Sequence, residues 1–255
     1  MLKVVIIGSG NVAHHLVSVF LQSPDVEILQ AFARNKTAFG ELLPKDKITT
    51  SFQDLTDKAD IYIIAVTDDA IEAVSTSLPF KDKLVVHTSG GVTISQLDSK
   101  NRRGVFYPLQ TFSKDKKVDF STIPICLETE NEADYVIVKQ LANSISDNVY
   151  SISSRQRKAL HVAAVFSSNF VNYMYTIGNA ICNDNDIPFD ILKPLILETA
   201  DKVKYMSPLR AQTGPAIRNN TKTIESHLAF ITKPNQREIY SLLTQSIQQE
   251  NGRKL

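Results

Sequence analysis

The chain has 255 residues, 43% hydrophobic and 22% charged, the balance of a globular protein with one large core or two modest ones. Lys+Arg 28 against Asp+Glu 27 leaves a formal net charge of +1, which gives no whole-chain attraction to nucleic acid or to an anionic membrane. The two cysteines, Cys126 and Cys182, are too few for a zinc site or a disulfide framework and read as small buried apolar residues. No stretch nears the roughly 18 uninterrupted apolar residues of a membrane span, and the run from Met1 meets Gly8 too soon for a signal peptide. A cytoplasmic location is the expectation that follows.

In the first half, strand-like and helix-like segments alternate. Leu2 to Ile7 is a continuous β-branched apolar run, as in a strand buried on both faces of a parallel sheet. Residues 11–22 carry Val12, Leu16, Val19 and Phe20 on one helix face. Strands are predicted at 26–32, 61–66, 84–87, 105–107 and 123–127, with a helix at 131–145 and a last strand at 148–152. Alternation of this kind predicts an α/β fold with a Rossmann-type, doubly wound, mostly parallel sheet.

Beyond Ser153 the pattern is helical only, so an all-α C-terminal domain over 153–255 is expected after an NAD(P)-binding domain over 1–152. Ser153 and Gln156 stand as a capping box for a helix reaching to about Asn183. Further helices are predicted at about 188–205, 219–232 and 235–249, with Pro194 inside the first of these as a kink.

Gly8-Ser9-Gly10-Asn11-Val12-Ala13 follows the first strand and opens the first helix, as a dinucleotide fingerprint does. Gly8 allows the tight turn, Gly10 lets backbone approach a pyrophosphate, and Ala13 lets helix and strand pack closely. The helix N-terminus then offers free N–H groups to the phosphates. At the end of the second strand, Ala33-Arg34-Asn35-Lys36 has no carboxylate for a ribose 2′-hydroxyl and two cations. Arg34 can bind a 2′-phosphate, which favours NADP over NAD; a solvated loop is the competing reading. Thr67, Thr88 and Ser89 lie at two further strand ends, where ligands sit in such sheets, although Thr67 or Asp68 serves equally well as a helix cap. His87 reads as a satisfied strand-end histidine, with a nicotinamide neighbour as the alternative, and His14 and His15 as packing or surface residues.

These motifs, with His87-Thr88-Ser89-Gly90, Tyr107-Pro108-Leu109-Gln110-Thr111-Phe112, the run His161 to Phe170 and Gly214-Pro215-Ala216-Ile217-Arg218, mark a resemblance that covers essentially the whole chain. The chain resembles a family of bacterial Rossmann proteins with a dedicated C-terminal helical domain, named as deazaflavin-coenzyme-dependent NADP oxidoreductases. Tyr107 stands where that family usually has histidine, and Asn219-Asn220 where it has Gly-Asp. More distantly the plan is similar to prephenate dehydrogenase, pyrroline-carboxylate reductase and the β-hydroxyacid dehydrogenases. The resemblance implies an N-terminal NADP domain and a helical domain that closes the cleft and makes a dimer. The deazaflavin coenzyme itself is not expected.

On the long helix, at about 100° per residue, His161, Val165, Ser168 and Asn172 fall within a sector of about 60°, flanked by Asn169. The other faces are apolar, which predicts burial and requires the polar groups to be paired or to face a cavity. An imidazole suits proton exchange with a carbonyl or alcohol, which makes His161 the candidate acid–base group, with Asn169 and Ser168 holding the substrate oxygen; bonding to neighbouring helices is the alternative. Arg155, Arg157 and Lys158 crowd the first turn, where cations oppose the helix dipole; they read as a solvated charged turn, with an anionic substrate, a cofactor phosphate or partner carboxylates as the alternatives, and Arg218 is a second candidate contact for an anionic substrate. His227 reads as structural. The expectation is an NADP-dependent dehydrogenase or reductase acting on a small, anionic carbonyl or imine substrate, homodimeric through its helical half. The alternative is an NADP(H)-binding sensor or scaffold without hydride transfer. No metal site, nucleic acid or membrane partner is expected.

Overall fold

The structure, a computed structural model, describes residues 1–114 and 116–252. Strand β1 (Leu2–Ile7) is apolar throughout because both of its faces are covered: Val4 and Ile6 join one buried cluster, Val5 and Ile7 another. Helix α1 (Asn11–Phe20) leads to β2 (Val26–Phe32), the two-residue β3 (Ile48–Thr49) and β4 (Ile61–Ile64). After these come α2 (Ile71–Thr76), β5 (Leu84–His87), β6 (Arg102–Pro108), β7 (Ile125–Thr129), α3 (Glu132–Asn143) and β8 (Val149–Ser151). They build an eight-stranded sheet in the order β3-β2-β1-β4-β5-β6-β7-β8. Only β6 and β7 are antiparallel, with Val105 opposite Glu128 and Tyr107 opposite Cys126. The doubly wound, mostly parallel sheet is thus the one the alternation predicts.

Helices follow from α4 (Ser154–Ala164), capped by the Ser153–Gln156 box, through a π-helical turn at Val165–Phe170 into α5 (Val171–Asn183). Then come α6 (Lys193–Lys202), α7 (Pro208–Ala211), α8 (Thr221–Phe230) and α9 (Pro234–Gly252). Pro194 kinks nothing. The segment 189–192 is a separate 3-10 turn, so the proline falls in the first turn of α6, where no hydrogen bond is lost.

The change from strands to helices lies where the pattern changes, near residue 152, but the compact units divide at Ser168/Asn169. Helix α4 belongs to the sheet unit because it is anchored there by a buried charge. Arg157 is 1% exposed; it is ion-paired with Glu128 on β7, and its guanidinium donates to the Val92 carbonyl oxygen at 2.6 Å and to Ser154 Oγ at 3.2 Å. The Ser154 backbone N–H and hydroxyl both donate to the Glu128 carboxylate, at 2.9 and 2.8 Å. The crowded cations of this first turn are therefore not all solvated: Arg157 answers a partner carboxylate, while Arg155 and Lys158 are exposed.

The second unit, starting at Asn169, has little interior. Among its described residues only Cys182, Ala216 and Thr244 are buried, whereas Ile191, Leu195, Leu197, Tyr205 and Leu242 are each more than 60% exposed. The burial predicted for the long helix is likewise absent in the single chain, with Val162 51% and Tyr173 44% exposed.

Glu128→Ala leaves a guanidinium buried without its carboxylate. Urea unfolding followed by far-UV circular dichroism is expected to show a loss of about 3–5 kcal/mol, and the double variant Glu128→Ala, Arg157→Met a smaller one.

Candidate active site

The chain winds one way from β1 through β2 to β3, then returns to place β4 on the other side of β1. Ligands bind at such a reversal, outside the carboxyl ends of the strands. Gly8, immediately after β1, has φ +123°, and a Cβ there would sit 2.1 Å from the Ala65 carbonyl oxygen just past β4. Backbone contact between the two strand ends therefore demands glycine on grounds of both space and conformation. Gly10 is different. It has φ −75° as the N-cap of α1, and a Cβ on it would meet no atom within 4 Å.

Among the described residues no side chain caps α1, so its first N–H groups face that open space. Ala13 is fully buried against the sheet, Val12 packs at the edge of the same cluster, and Ser9 is half-buried. Asn11 is committed elsewhere: its Nδ2 donates to the Phe112 carbonyl oxygen at 2.8 Å and ties the loop after β6 to the helix. At the end of β2, Arg34 is exposed and has no partner among the described residues. Asn35 folds its own turn, its Oδ1 accepting from the Thr37 N–H and hydroxyl, each at 2.9 Å. Thr67 makes no side-chain cap, which leaves its hydroxyl without a partner among the described residues. Beyond β5, Thr88 is buried, and Ser89 Oγ accepts from the N–H groups of Gly91 and Val92, both at 3.1 Å. Its own proton stays available to an acceptor.

The same edge carries a polar pair. Tyr107, at the carboxyl end of β6, has its hydroxyl 3.2 Å from Nδ1 of His161 on α4, with the rings edge to face. Both rings lie on Gly90: a Cβ there would stand 2.6 Å from His161 Nδ1 and 2.7 Å from Tyr107 Cζ. At Gly91 a Cβ would meet Asp68 Oδ2 at 3.4 Å and His161 Cδ2 at 4.0 Å, so carboxylate and imidazole border one gap. Burial, with the nearby Cys126 and Asp68, pushes the Tyr107 phenol up to about 12, so it is protonated at neutral pH. Tyr107 was visible in the sequence only as a departure from a family pattern, and its pairing with His161 depends on the β6 register.

Ser168 is half-buried and Asn169 exposed, one on either side of the division between units. The π turn changes the angular count across 165–170, so the common sector computed for a uniform α-helix does not describe them. Arg218 is exposed in the second unit, before the α8 cap Asn220. His227 bonds the Tyr240 hydroxyl through Nδ1 at 2.8 Å, and Nε2 of His14 and of His15 lies 2.9 Å from the carbonyl oxygens of Ala38 and Ser113; all three have structural partners. Among the described residues no group of three or more His, Cys, Asp or Glu side chains is placed to hold a metal ion, and no helix is long and apolar enough to cross a membrane.

Residues 3–91 match the family described as NADP oxidoreductase, coenzyme F420-dependent, and residues 123–247 a domain of unknown function, DUF2520. A Bacteroides fragilis protein with the provisional name NADP oxidoreductase is 35% identical, over 97% of this chain and 98% of that one, with a TM-score of 0.86. The chain belongs to that oxidoreductase family. The fold is shared more widely. Pyrroline carboxylate reductase from Plasmodium falciparum, solved with NADP, has a TM-score of 0.62 at 15% identity, over 97% and 98% of the two chains. A reductive aminase from Aspergillus terreus, solved with NADPH4, cyclohexanone and allyl amine, has a TM-score of 0.71 at 13% identity, over 99% and 93%. No curated protein sequence gives a match.

His87 is fully buried at the end of β5, its Nδ1 accepting from the Ser89 N–H at 3.1 Å. Burial, and then the Arg157 charge, lower its pKa from 6.5 to about 3. Below pH 6.5 the unfolded chain takes up a proton that the folded chain refuses until about pH 3, so stability falls as pH drops through that window. Urea unfolding between pH 7 and pH 4 is expected to show this loss, at most about 1.4 kcal/mol per pH unit for the one group. His87→Gln flattens the slope.

Proposed function

We propose that this chain is an NADP(H)-dependent oxidoreductase for a small carbonyl or imine substrate carrying an anionic group. The observation that carries the reading is the open space over Gly10 at the uncapped start of α1, beside an Arg34 without a partner among the described residues. A pyrophosphate suits the first, since free N–H groups and the positive end of the helix dipole face it. A 2′-phosphate suits the second, since a guanidinium pairs with it in two hydrogen bonds. Ser9, Thr67, Thr88 and Ser89 border the same strand ends and would hold the rest of the dinucleotide.

When bound, NADPH supplies a hydride from the nicotinamide C4 to a substrate carbon. The protein's part is to hold that carbon and manage the proton. His161, half-buried against Gly90, exchanges the proton with the substrate oxygen or nitrogen, and Ser168 orients that atom; Asn169 and Arg218 are the second unit's own candidates, for a substrate oxygen and for an anionic group. Residues 153–255 are read as the substrate and dimer domain.

A homodimer through this domain is supported by the second unit itself. A helical unit whose buried apolar residues are Cys182 and Ala216 alone, among those described, cannot stabilise its helices from within, and a second copy offers the same apolar surface in return. Size-exclusion chromatography with light scattering is expected to give twice the mass of the chain; a 28.4 kDa particle contradicts the dimer.

Titration followed by NADPH fluorescence is expected to show micromolar binding, at least about tenfold tighter than for NADH, a gap of about 1.4 kcal/mol. Arg34→Ala removes that preference. Gly10→Ala weakens both nucleotides while costing less than about 1 kcal/mol of stability, because the protein leaves room for the methyl group. Absence of binding by either nucleotide rejects the reading.

A further inference from the structure

Tyr107 does more than fill space. Its ring sits in an apolar nest with Val105, Cys126, Ile94 and Leu160, and the residue is 9% exposed. From that nest the hydroxyl has one partner among the described residues, His161 Nδ1 at 3.2 Å. Two arrangements fit the distance. If the imidazole donates from Nδ1, the phenolic proton of a buried tyrosine is left without an acceptor, a cost of about 1–3 kcal/mol. If the hydroxyl donates, both groups are satisfied, and the remaining imidazole proton lies on Nε2.

We infer that Tyr107 is a positioning residue whose hydroxyl donates to His161 Nδ1 and so fixes the neutral imidazole as the Nε2–H tautomer, with Nε2 as the atom offered to the substrate. The other groups around the ring agree with this. Gly90 packs beneath Nδ1 and closes that side to a ligand, whereas Nε2 has no partner among the described residues. The Asp68 carboxylate borders the gap at Gly91, Lys158 lies one turn back on the same helix, and Arg157 is neutralised by Glu128. A donor at Nε2 selects a substrate with an acceptor at the reacting end, a carbonyl oxygen or an imine nitrogen. This last step rests on the proposed oxidoreductase reading; the tautomer does not.

The test is two-bond proton–nitrogen correlation NMR of the ¹⁵N-histidine-labelled full chain at a pH where the imidazole is neutral, with His161→Gln identifying the ring signals. The expected pattern is an unprotonated Nδ1 that accepts a hydrogen bond and a protonated Nε2. In Tyr107→Phe, which keeps the ring in its nest, the Nδ1 signal moves to the position of a free acceptor. A protonated Nδ1 in the unaltered chain overturns the inference, and so does a Tyr107→Phe spectrum with both His161 nitrogens unmoved. Failure of NADPH to bind leaves these signals as they are, so the two readings fall separately.

Discussion

A single buried charge pair sets the geometry on which the rest of the site depends. Strand β7 is antiparallel to β6, so Glu128 lies opposite Val105, two residues back from the level of Tyr107 and Cys126 and, by the alternation of strand residues, on the same face. Arg157, in the first turn of α4, closes on that carboxylate and on the Val92 carbonyl oxygen beyond β5. Strand β7, the loop after β5 and the helix are thereby locked together before any apolar packing is considered. A cation in a first helical turn opposes the helix dipole. The cost is met by a carboxylate that also receives the Ser154 N–H and hydroxyl.

Along the same carboxyl edge, past β1, two glycines divide fold and ligand between them. Gly8 answers only to the protein: its backbone touches the Ala65 carbonyl, and the conformation needed is one that side chains avoid. Gly10 answers to nothing in the protein, since it has an ordinary φ and open space beyond its Cα. A motif that reads as one pattern is thus two requirements with separate physical origins. Asn11 adds a third by holding the Phe112 loop in place.

Most of the sheet was legible because each buried strand announces itself by period and composition. β1, β2 and β5 lie where their apolar runs lie, whereas β3 is too short to show a pattern and β6 begins with Arg102 and Arg103, which a hydropathy reading passes over. His161 could be singled out as a polar residue on an apolar helix. Its partner could not, because Tyr107 reaches it through strand register and the Arg157 anchor, both long-range. The π turn was invisible for a related reason. Hydrophobic spacing at 3.6 residues cannot register a local change to i→i+5 bonding. The apolar circumference of the long helix was read correctly as apolar, but the burial expected to follow from it is not met within the chain, which leaves Val162 and Tyr173 exposed.

Arg157 and His161 are four residues apart, close to one turn of α-helix, so they share a face with a rise of about 6 Å between them. That matches the step from the level of Glu128 to the level of Tyr107, two residues along the paired strands. Helix α4 is therefore a ruler with its zero at the ion pair. One residue inserted between the marks would swing the imidazole by about 100° and carry it off Gly90, with every residue of the site still present in the sequence.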